Sequence, residues 1–171
     1  MAKKVVKITT RGLDEWQKKL LKLEHEGVDR MKDRVLRTVG LRIQEYMDDL
    51  TPVRSNRLRG SLGVGNENHP DGVFKIKVGR QSYVLVGTAV EYAAAVNDGH
   101  TQKKGRFVPG FWSSGTFHYQ PGASGGMVLT GKVIPGAFMF EKAQEYTEED
   151  IPTIMEFETR RTFEEIFGGK S

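Results

Sequence analysis

The stretch Tyr83–His100, YVLVGTAVEYAAAVNDGH, is the one around which the chain is organised. Its first four residues are continuously apolar and rich in valine, which predicts a strand buried on both faces. Gly87 and Thr88 end the strand, and a short helix follows whose apolar side consists of Val90, Ala93, Ala94 and Val96. Gly99 ends this helix, because glycine adopts the left-handed conformation that other residues resist. An exposed loop is expected from His100 onward.

A long helix is predicted on the N-terminal side of this stretch. Residues Leu13 to Leu50 contain no proline and are rich in glutamate, lysine, leucine and arginine, which favour helix. Apolar residues recur at three- and four-residue spacing on both sides of Gly27, where a kink or a brief break is expected. Such a helix exceeds what a small core needs, so a partner subunit is expected to cover the surplus. Residues 3–10, KKVVKITT, are expected to form an N-terminal arm or an edge strand.

A small antiparallel sheet is predicted after the long helix. Pro52 ends the helix, since proline disfavours helical geometry in the residue before it. We expect one strand to begin at Ser61–Val64 and a half-buried strand at Val73–Val78, where apolar and charged residues alternate. Together with Tyr83–Val86 these segments make three strands in meander order, which is typical of an antiparallel sheet.

Residues 101–135 form a long insertion without helical periodicity. Two of its segments, Phe107–Trp112 and Gly115–Tyr119, are expected to pair as a projecting hairpin. A loop of this length in a small domain is usually functional or ordered by a partner. Its aromatic side chains either complete the domain's own core or form an interface, because aromatics supply much of an interface's binding energy. The five residues concerned are Phe107, Phe111, Trp112, Phe117 and Tyr119.

Two helices are predicted after the insertion. Ile134–Phe140 returns the chain to the core, and Ala137–Tyr146 has helical composition. Pro152 lies near the start of the second predicted helix, where proline is tolerated. Its apolar face is expected to contain Ile151, Ile154, Met155, Phe157, Thr162, Phe163 and Ile166. Residues 1–171 are thus predicted to be one α+β domain, with a long N-terminal helix and C-terminal helices packed on a small antiparallel β-sheet.

The composition argues against several classes of function. The 171 residues include no cysteine, so the chain has neither disulfides nor thiolate chemistry. Its four histidines never fall at metal-ligand spacing, and no apolar run is long enough to span a membrane. Asn97, Asp98 and His100 resemble an acid–base cluster, but Asn-Asp-Gly after a short helix is more often a cap and turn. We therefore predict a protein that is not an enzyme, uses no cofactor or metal and does not act at a membrane.

Three arginines, Arg54, Arg57 and Arg59, lie close together after the long helix. Guanidinium groups make paired hydrogen bonds to carboxylate or phosphate, so the cluster fits an acidic face of a partner or passing DNA. The alternative is a solvated loop with ordinary surface ion pairs. The formal net charge is +4, from 26 basic and 22 acidic residues that are interspersed. A small basic nucleic-acid-binding protein is therefore the competing hypothesis for the whole chain.

The order of features resembles that of a known family. The long helix leads into TPVRSNRLRGS, a Pro-x-x-x-x-x-Leu-Arg-x-Ser pattern. Val86-Gly87-Thr88, Tyr92-Ala93 and Val96-Asn97-Asp98-Gly99 follow, and a Pro-Gly-x-Phe-Met segment precedes the last helical region. In this order the motifs resemble those of the tail-completion proteins (tail-terminator or head-to-tail joining proteins) of tailed bacteriophages and of related prophage-derived particles.

The resemblance implies a structural virion protein, assembled in the host bacterial cytoplasm, that forms a ring at the head-proximal end of the tail. The ring, expected to be a hexamer, would terminate the tail tube and join it to the neck. The implied partners are further copies of the chain, the tail tube protein and neck or connector proteins, with DNA passing through the lumen. A head-completion or neck adaptor protein is the alternative in the same class.

A ring requires a heterologous interface that closes on itself. The segments expected to supply it are the surplus of the first helix, the arginine cluster, the aromatic insertion and the alanine-rich helix, represented by Tyr92 and Ala94.

Overall fold

The structure is a computed structural model that describes residues 11–53 and 56–168. The expected N-terminal arm at residues 3–10 and the predicted site residue Arg54 lie outside the described residues. The helices are α1 (Arg11–Lys22), α2 (Val28–Leu50), α3 (Arg57–Leu62), α4 (Ala93–Asn97) and α5 (Met139–Phe167). The strands are β1 (Gly72–Lys77), β2 (Tyr83–Thr88), β3 (Gly99–Thr101), β4 (Phe107–Ser113), β5 (Thr116–Tyr119), β6 (Gly126–Val128) and β7 (Val133–Pro135). These elements confirm the α+β prediction, while a single domain over the whole chain stays a prediction.

The predicted N-terminal helix is present, with a change of winding at the predicted place. A π-helical turn at Leu23–Gly27 joins α1 to α2. The backbone of Gly27 stays helical, at φ −68° and ψ −44°, so the helix is widened there and does not break. Thr51 ends α2 in an extended conformation immediately before Pro52, as the proline requires.

The two predicted C-terminal helices are one continuous helix, α5, which packs along α2. Pro152 lies inside it, because the loss of a single backbone hydrogen bond is outweighed by packing on both sides of the proline. The hydroxyl of Thr147, between the two predicted helices, donates to the Ala143 carbonyl within α5. The predicted apolar face was partly wrong: Ile154 is buried, but Met155, Phe157 and Phe163 are exposed.

The predicted three-stranded meander is wrong, because Ser61 and Leu62 belong to helix α3. Leu58 and Leu62, four residues apart, both enter the core from one side of that helix. The remaining strands, β1 and β2, form a two-stranded antiparallel hairpin. The prediction that Tyr83–Val86 is buried on both faces is also wrong, since Tyr83 and Leu85 are about half-exposed. One face of the hairpin lies on α2, and among the described residues the opposite face carries the exposed side chains of Tyr83 and Leu85.

The core lies where α2, α3, α4 and α5 meet. Its buried side chains are Met47, Leu58, Leu62, Val90, Ala93, Met139 and Ala143. Gly99, at φ +78°, ends α4 as predicted, and a Cβ there would lie 2.5 Å from the Ile134 carbonyl oxygen. This close approach belongs to the pairing of β3 with β7, which returns the chain to the core at the start of α5.

The insertion forms a three-stranded antiparallel sheet in the order β5-β4-β6. The predicted hairpin is confirmed: Gly110 pairs with Tyr119 and Ser113 with Thr116 across β4 and β5. β6 adds to the other edge of β4. These strands pack mainly on one another and make few contacts with the helices. Among the described residues, no helix combines the length and the apolar character needed to cross a membrane.

Candidate assembly surfaces

Arg57 and Arg59, the two described members of the arginine cluster, form ion pairs within the chain. Arg59 donates two hydrogen bonds to the Asp48 carboxylate, at 2.8 and 2.7 Å, and so ties α3 to α2. Arg57 contacts the Asp71 carboxylate at 2.9 Å and that of Glu91 at 3.3 Å. The hydrogen bonds from these arginines hold the pKa of Asp48 and of Asp71 below the ordinary range of an aspartate. These contacts are the ordinary surface ion pairs of the alternative hypothesis. A role of the arginine cluster in assembly stays a prediction.

The aromatic residues of the insertion do not enter the domain core. Phe107, Phe111, Trp112 and Tyr119 have 51–61% of their surface exposed, and Phe117 is half-buried. Trp112 packs edge-on against Phe117 across the β4–β5 pair, with ring centroids 5.4 Å apart. Phe111 stacks on His118 from the other face, at 5.3 Å. The rings therefore stabilise the small sheet itself while leaving much apolar surface on both of its faces.

The alanine-rich helix α4 forms one wall of an apolar groove of about 670 Å³. Tyr92 and Val96 are half-buried in this wall, whereas Ala94 is exposed on α4. The groove is lined by Pro52, Asn56, Leu58, Arg59, Tyr92, Ala95, Val96 and His100. Tyr92 and Ala94 were predicted as interface residues together, but the structure places only Tyr92 in the groove lining.

The N-terminal part of the first helix, which extends beyond what the core needs, is exposed, as the length of the helix predicts. Leu13, Trp16 and Leu21 are each at least 45% exposed on α1. The ring of Trp16 lies beside that of Phe167 in α5, with centroids 6.4 Å apart. The exposed residues Phe157 and Phe163 of α5 were missed as surface candidates, because periodicity placed them on the buried face. Their spacing along the helix matches that of the buried Ile154, so periodicity alone did not distinguish these exposed positions from buried ones.

The Asn97–His100 segment is a structural connection, as the cap-and-turn interpretation predicts. The Asn97 side-chain nitrogen donates to the Glu141 carboxylate at 3.0 Å, and its oxygen accepts from the Phe140 amide at 3.1 Å. These bonds join the end of α4 to the first turn of α5 and satisfy a side chain that is only 3% exposed. Among the described residues, no three His, Cys, Asp or Glu side chains group as a metal site would need.

Comparison with known proteins identifies the chain's family. Residues 14–99 match the model of the HK97-gp10-like family, described as "Bacteriophage HK97-gp10, putative tail-component". The chain belongs to this family. The match covers the long helix, the arginine segment, the β1–β2 hairpin and α4, so it includes most of the motifs on which the sequence resemblance rests. The resemblance to phage tail-completion proteins is thereby confirmed, and this phage tail component is a structural protein of the virion.

Two curated relatives of this tail component come from Bacillus subtilis (strain 168). The "Phage-like element PBSX protein XkdI" is 34% identical over 103 residues, which cover 59% of this chain and 62% of that protein. The "Uncharacterized protein YqbI" is 28% identical over 144 residues, covering 78% of this chain and 84% of that protein. No solved structure matches the chain.

Proposed function

We propose that this tail component forms a closed ring, a hexamer, at the head-proximal end of a phage or phage-like tail. There it terminates the tail tube and joins it to the neck. The observation that carries the proposal is the insertion sheet, whose aromatic residues Phe107, Phe111, Trp112 and Tyr119 are at least 51% exposed in a tail component. Large aromatic side chains left in water on a small sheet mark a surface that another protein covers.

The exposed surfaces suit an assembly in which each copy meets two neighbours differently. The α1 surplus and the insertion are separate segments, and each presents apolar side chains to solvent. A contact between two different surfaces is heterologous, and it closes into a ring when the rotation between copies permits. A ring seated on the tube would end its growth and offer its free side to neck proteins.

The proposal is tested by removing the protein from tail-producing cells and imaging the particles by electron microscopy. We expect tail tubes of uncontrolled length without attached heads, restored to uniform length when the chain is supplied from a plasmid. Tails of normal length beside unjoined heads would instead indicate the alternative, a head-completion or neck adaptor. Normal joined particles would contradict both. The ring itself is tested by native mass spectrometry of the purified protein.

A further inference from the structure

The net positive charge of the chain lies entirely in and beside the insertion. Between Gly99 and Phe140 the sequence contains four basic residues and no acidic one. Removing these four from the 26 basic residues leaves 22, equal to the 22 acidic residues found elsewhere. The four are Lys103, Lys104, Arg106 and Lys132, and all are exposed. None of them takes part in an ion pair among residues 11–53 and 56–168, although Arg30, Arg34, Arg57, Arg59 and Arg160 all do.

Exposed apolar side chains lie on one face of the insertion sheet, next to the turn before β4 that contains three of these cations. The register pairs Phe107 with Val128 and Phe111 with His118, so all four side chains lie on the same face. Phe107, Phe111 and Val128 are each at least 51% exposed. We call Phe107, Phe111 and Val128, with the adjacent cations Lys103, Lys104 and Arg106, the insertion face.

The first half of α5 has the opposite character. From Met139 to Phe157 it contains six acidic residues and one lysine. Glu145, Glu148 and Glu149 lie on its outward side, because they fall between the buried positions Ala143, Thr147 and Ile154. Glu145 and Glu149 form no ion pair within the described chain. Met155 lies two turns after Glu148 and therefore on the same side of the helix, and it is 44% exposed. We call Glu145, Glu148, Glu149 and Met155 the α5 face.

We propose that the insertion face of one copy docks on the α5 face of a neighbouring copy. Each face carries charges of one sign that form no ion pair among the described residues, next to exposed apolar surface, and the two signs are complementary. The insertion strands make few contacts with the α5 of their own copy, so both faces stay available to a neighbour. The faces belong to different segments, which makes the contact heterologous as a ring requires. The inference rests on the proposed ring and identifies the interface between its copies.

A second copy accounts for more of the surface than nucleic acid does. The phosphates of a nucleic acid would match the cations of the insertion face, and its bases would stack on the rings. They would leave the carboxylates of the α5 face unpaired and would be repelled by them. A neighbouring copy pairs the three cations of the insertion face with the three carboxylates of the α5 face.

The test uses two charge-reversed variants of the full chain. The first carries Lys103→Glu, Lys104→Glu and Arg106→Glu; the second carries Glu145→Lys, Glu148→Lys and Glu149→Lys. In each variant alone the two faces carry like charges, so we expect self-association at least about tenfold weaker than wild type. In a 1:1 mixture the charges at every interface between the two different variants are complementary again, so assemblies of alternating variants should form. Native mass spectrometry and light scattering at low salt measure both effects.

The matched control reverses three cations of the β1–β2 hairpin, with Lys75→Glu, Lys77→Glu and Arg80→Glu. It changes the net charge as much as the first variant does and should assemble like wild type. Three outcomes overturn the inference: either variant assembling normally alone, the mixture staying unassembled, or the control losing assembly equally. Loss of binding to a short DNA duplex by the first variant, with the second still assembling, would assign the insertion face to nucleic acid.

The same measurements separate this inference from the proposed function. A wild-type chain that remains monomeric at about 200 µM and low salt overturns docking between copies. The particle images without the protein still decide whether it terminates the tail. Conversely, the purified protein could form a charge-dependent ring while cells lacking it still produce normal tails. That result would support the interface between copies and overturn the proposed place of the ring in the tail. Unchanged melting temperatures verify that each variant is folded.

Discussion

Gly40 shows how a single missing side chain positions the β1–β2 hairpin on α2. A Cβ at this position would lie 2.7 Å from Cε2 of Phe74 and 2.8 Å from Cγ2 of Val84. Although alanine favours helix by about 1 kcal/mol, overpacking costs about 1–3 kcal/mol, so Gly40→Ala should lower the free energy of unfolding. Urea titration measures the change. Gly79→Ala is the control, because a Cβ there meets nothing within 4 Å; equal midpoints for the two variants would contradict the packing argument.

Arg34 and Glu158 form the most buried ion pair among the described residues, between α2 and α5. Arg34 Nε lies 2.7 Å from Glu158 Oε2, with side chains 19% and 6% exposed. The arginine also donates to Thr162 Oγ1 at 2.7 Å. Removing Glu158 leaves the largely buried guanidinium of Arg34 with Glu165 as its remaining charged partner. Glu158→Ala should therefore cost about 1–3 kcal/mol of unfolding free energy. Glu156→Ala breaks an exposed pair instead and should cost less than about 0.5 kcal/mol. Chemical denaturation of both variants tests this, and similar losses would refute it.

Because several carboxylates are paired with arginines, the stability of the fold is expected to decrease at acidic pH. Hydrogen bonds from Arg59, Arg57 and Arg34 lower the pKa of Asp48, Asp71 and Glu165, respectively. A carboxyl whose pKa is lower in the folded state stabilises the fold above its unfolded pKa, and this contribution is lost as the pH falls through the folded pKa. The melting temperature should therefore be level near neutral pH and fall below about pH 4.

The control for this acid dependence combines Asp48→Asn, Asp71→Asn and Glu165→Gln in one chain. It should melt lower than wild type at neutral pH and respond less to acid, because three groups no longer titrate. Scanning calorimetry at a series of pH values measures both curves. Parallel curves would show that other carboxylates control the acid response.

At the scale of elements, Pro152 marks where local preference and packing disagree. It lies inside α5, where its ring cannot donate the backbone hydrogen bond to the Glu148 carbonyl. Pro152→Ala should raise the free energy of unfolding by about 1–2 kcal/mol, since helix propensity improves by about 3 kcal/mol and the unfolded chain gains freedom. Thr153→Ala, at the exposed neighbouring position, should change it by less than about 0.5 kcal/mol. Thermal denaturation compares the two, and a destabilised Pro152→Ala variant would show that the helix needs the proline.

At the scale of the whole molecule, the insertion should be separable from folding. The Gln102 amide donates to the Lys132 carbonyl at 3.0 Å, so the two ends of the segment 103–131 already lie side by side. Replacing this segment with a two-glycine turn should leave the helical circular dichroism and the melting temperature nearly unchanged and should abolish assembly. Phe111→Ser with Trp112→Ser in the full chain is the companion variant, with the same expected loss. Unfolding of the deletion variant would assign the aromatics to the core, and normal assembly would remove the interface.

The elements that could be predicted from the sequence are those with a local cause. The helix from Leu13 to Leu50, its altered winding at Gly27, the strand at Val73–Val78, the turn at Gly99 and the insertion hairpin follow from periodicity, glycine and alternation. Each of these signals acts within a few residues, so neighbours in sequence suffice to specify the result. The order of the short motifs also identified the family, because it records the succession of elements.

The tertiary structure decided everything that depends on a distant partner. Ser61–Val64 has the composition of a strand, yet Leu58 and Leu62 enter the core together only from a helix. Residues on either side of Pro152 share one helix because α2 packs along both halves of it. Arg59 pairs with Asp48 of α2 and Arg57 with Asp71, so the two described arginines of the cluster form internal ion pairs. Burial and charge pairing are properties of residues brought together from far along the chain, and no local pattern specifies which residues those will be.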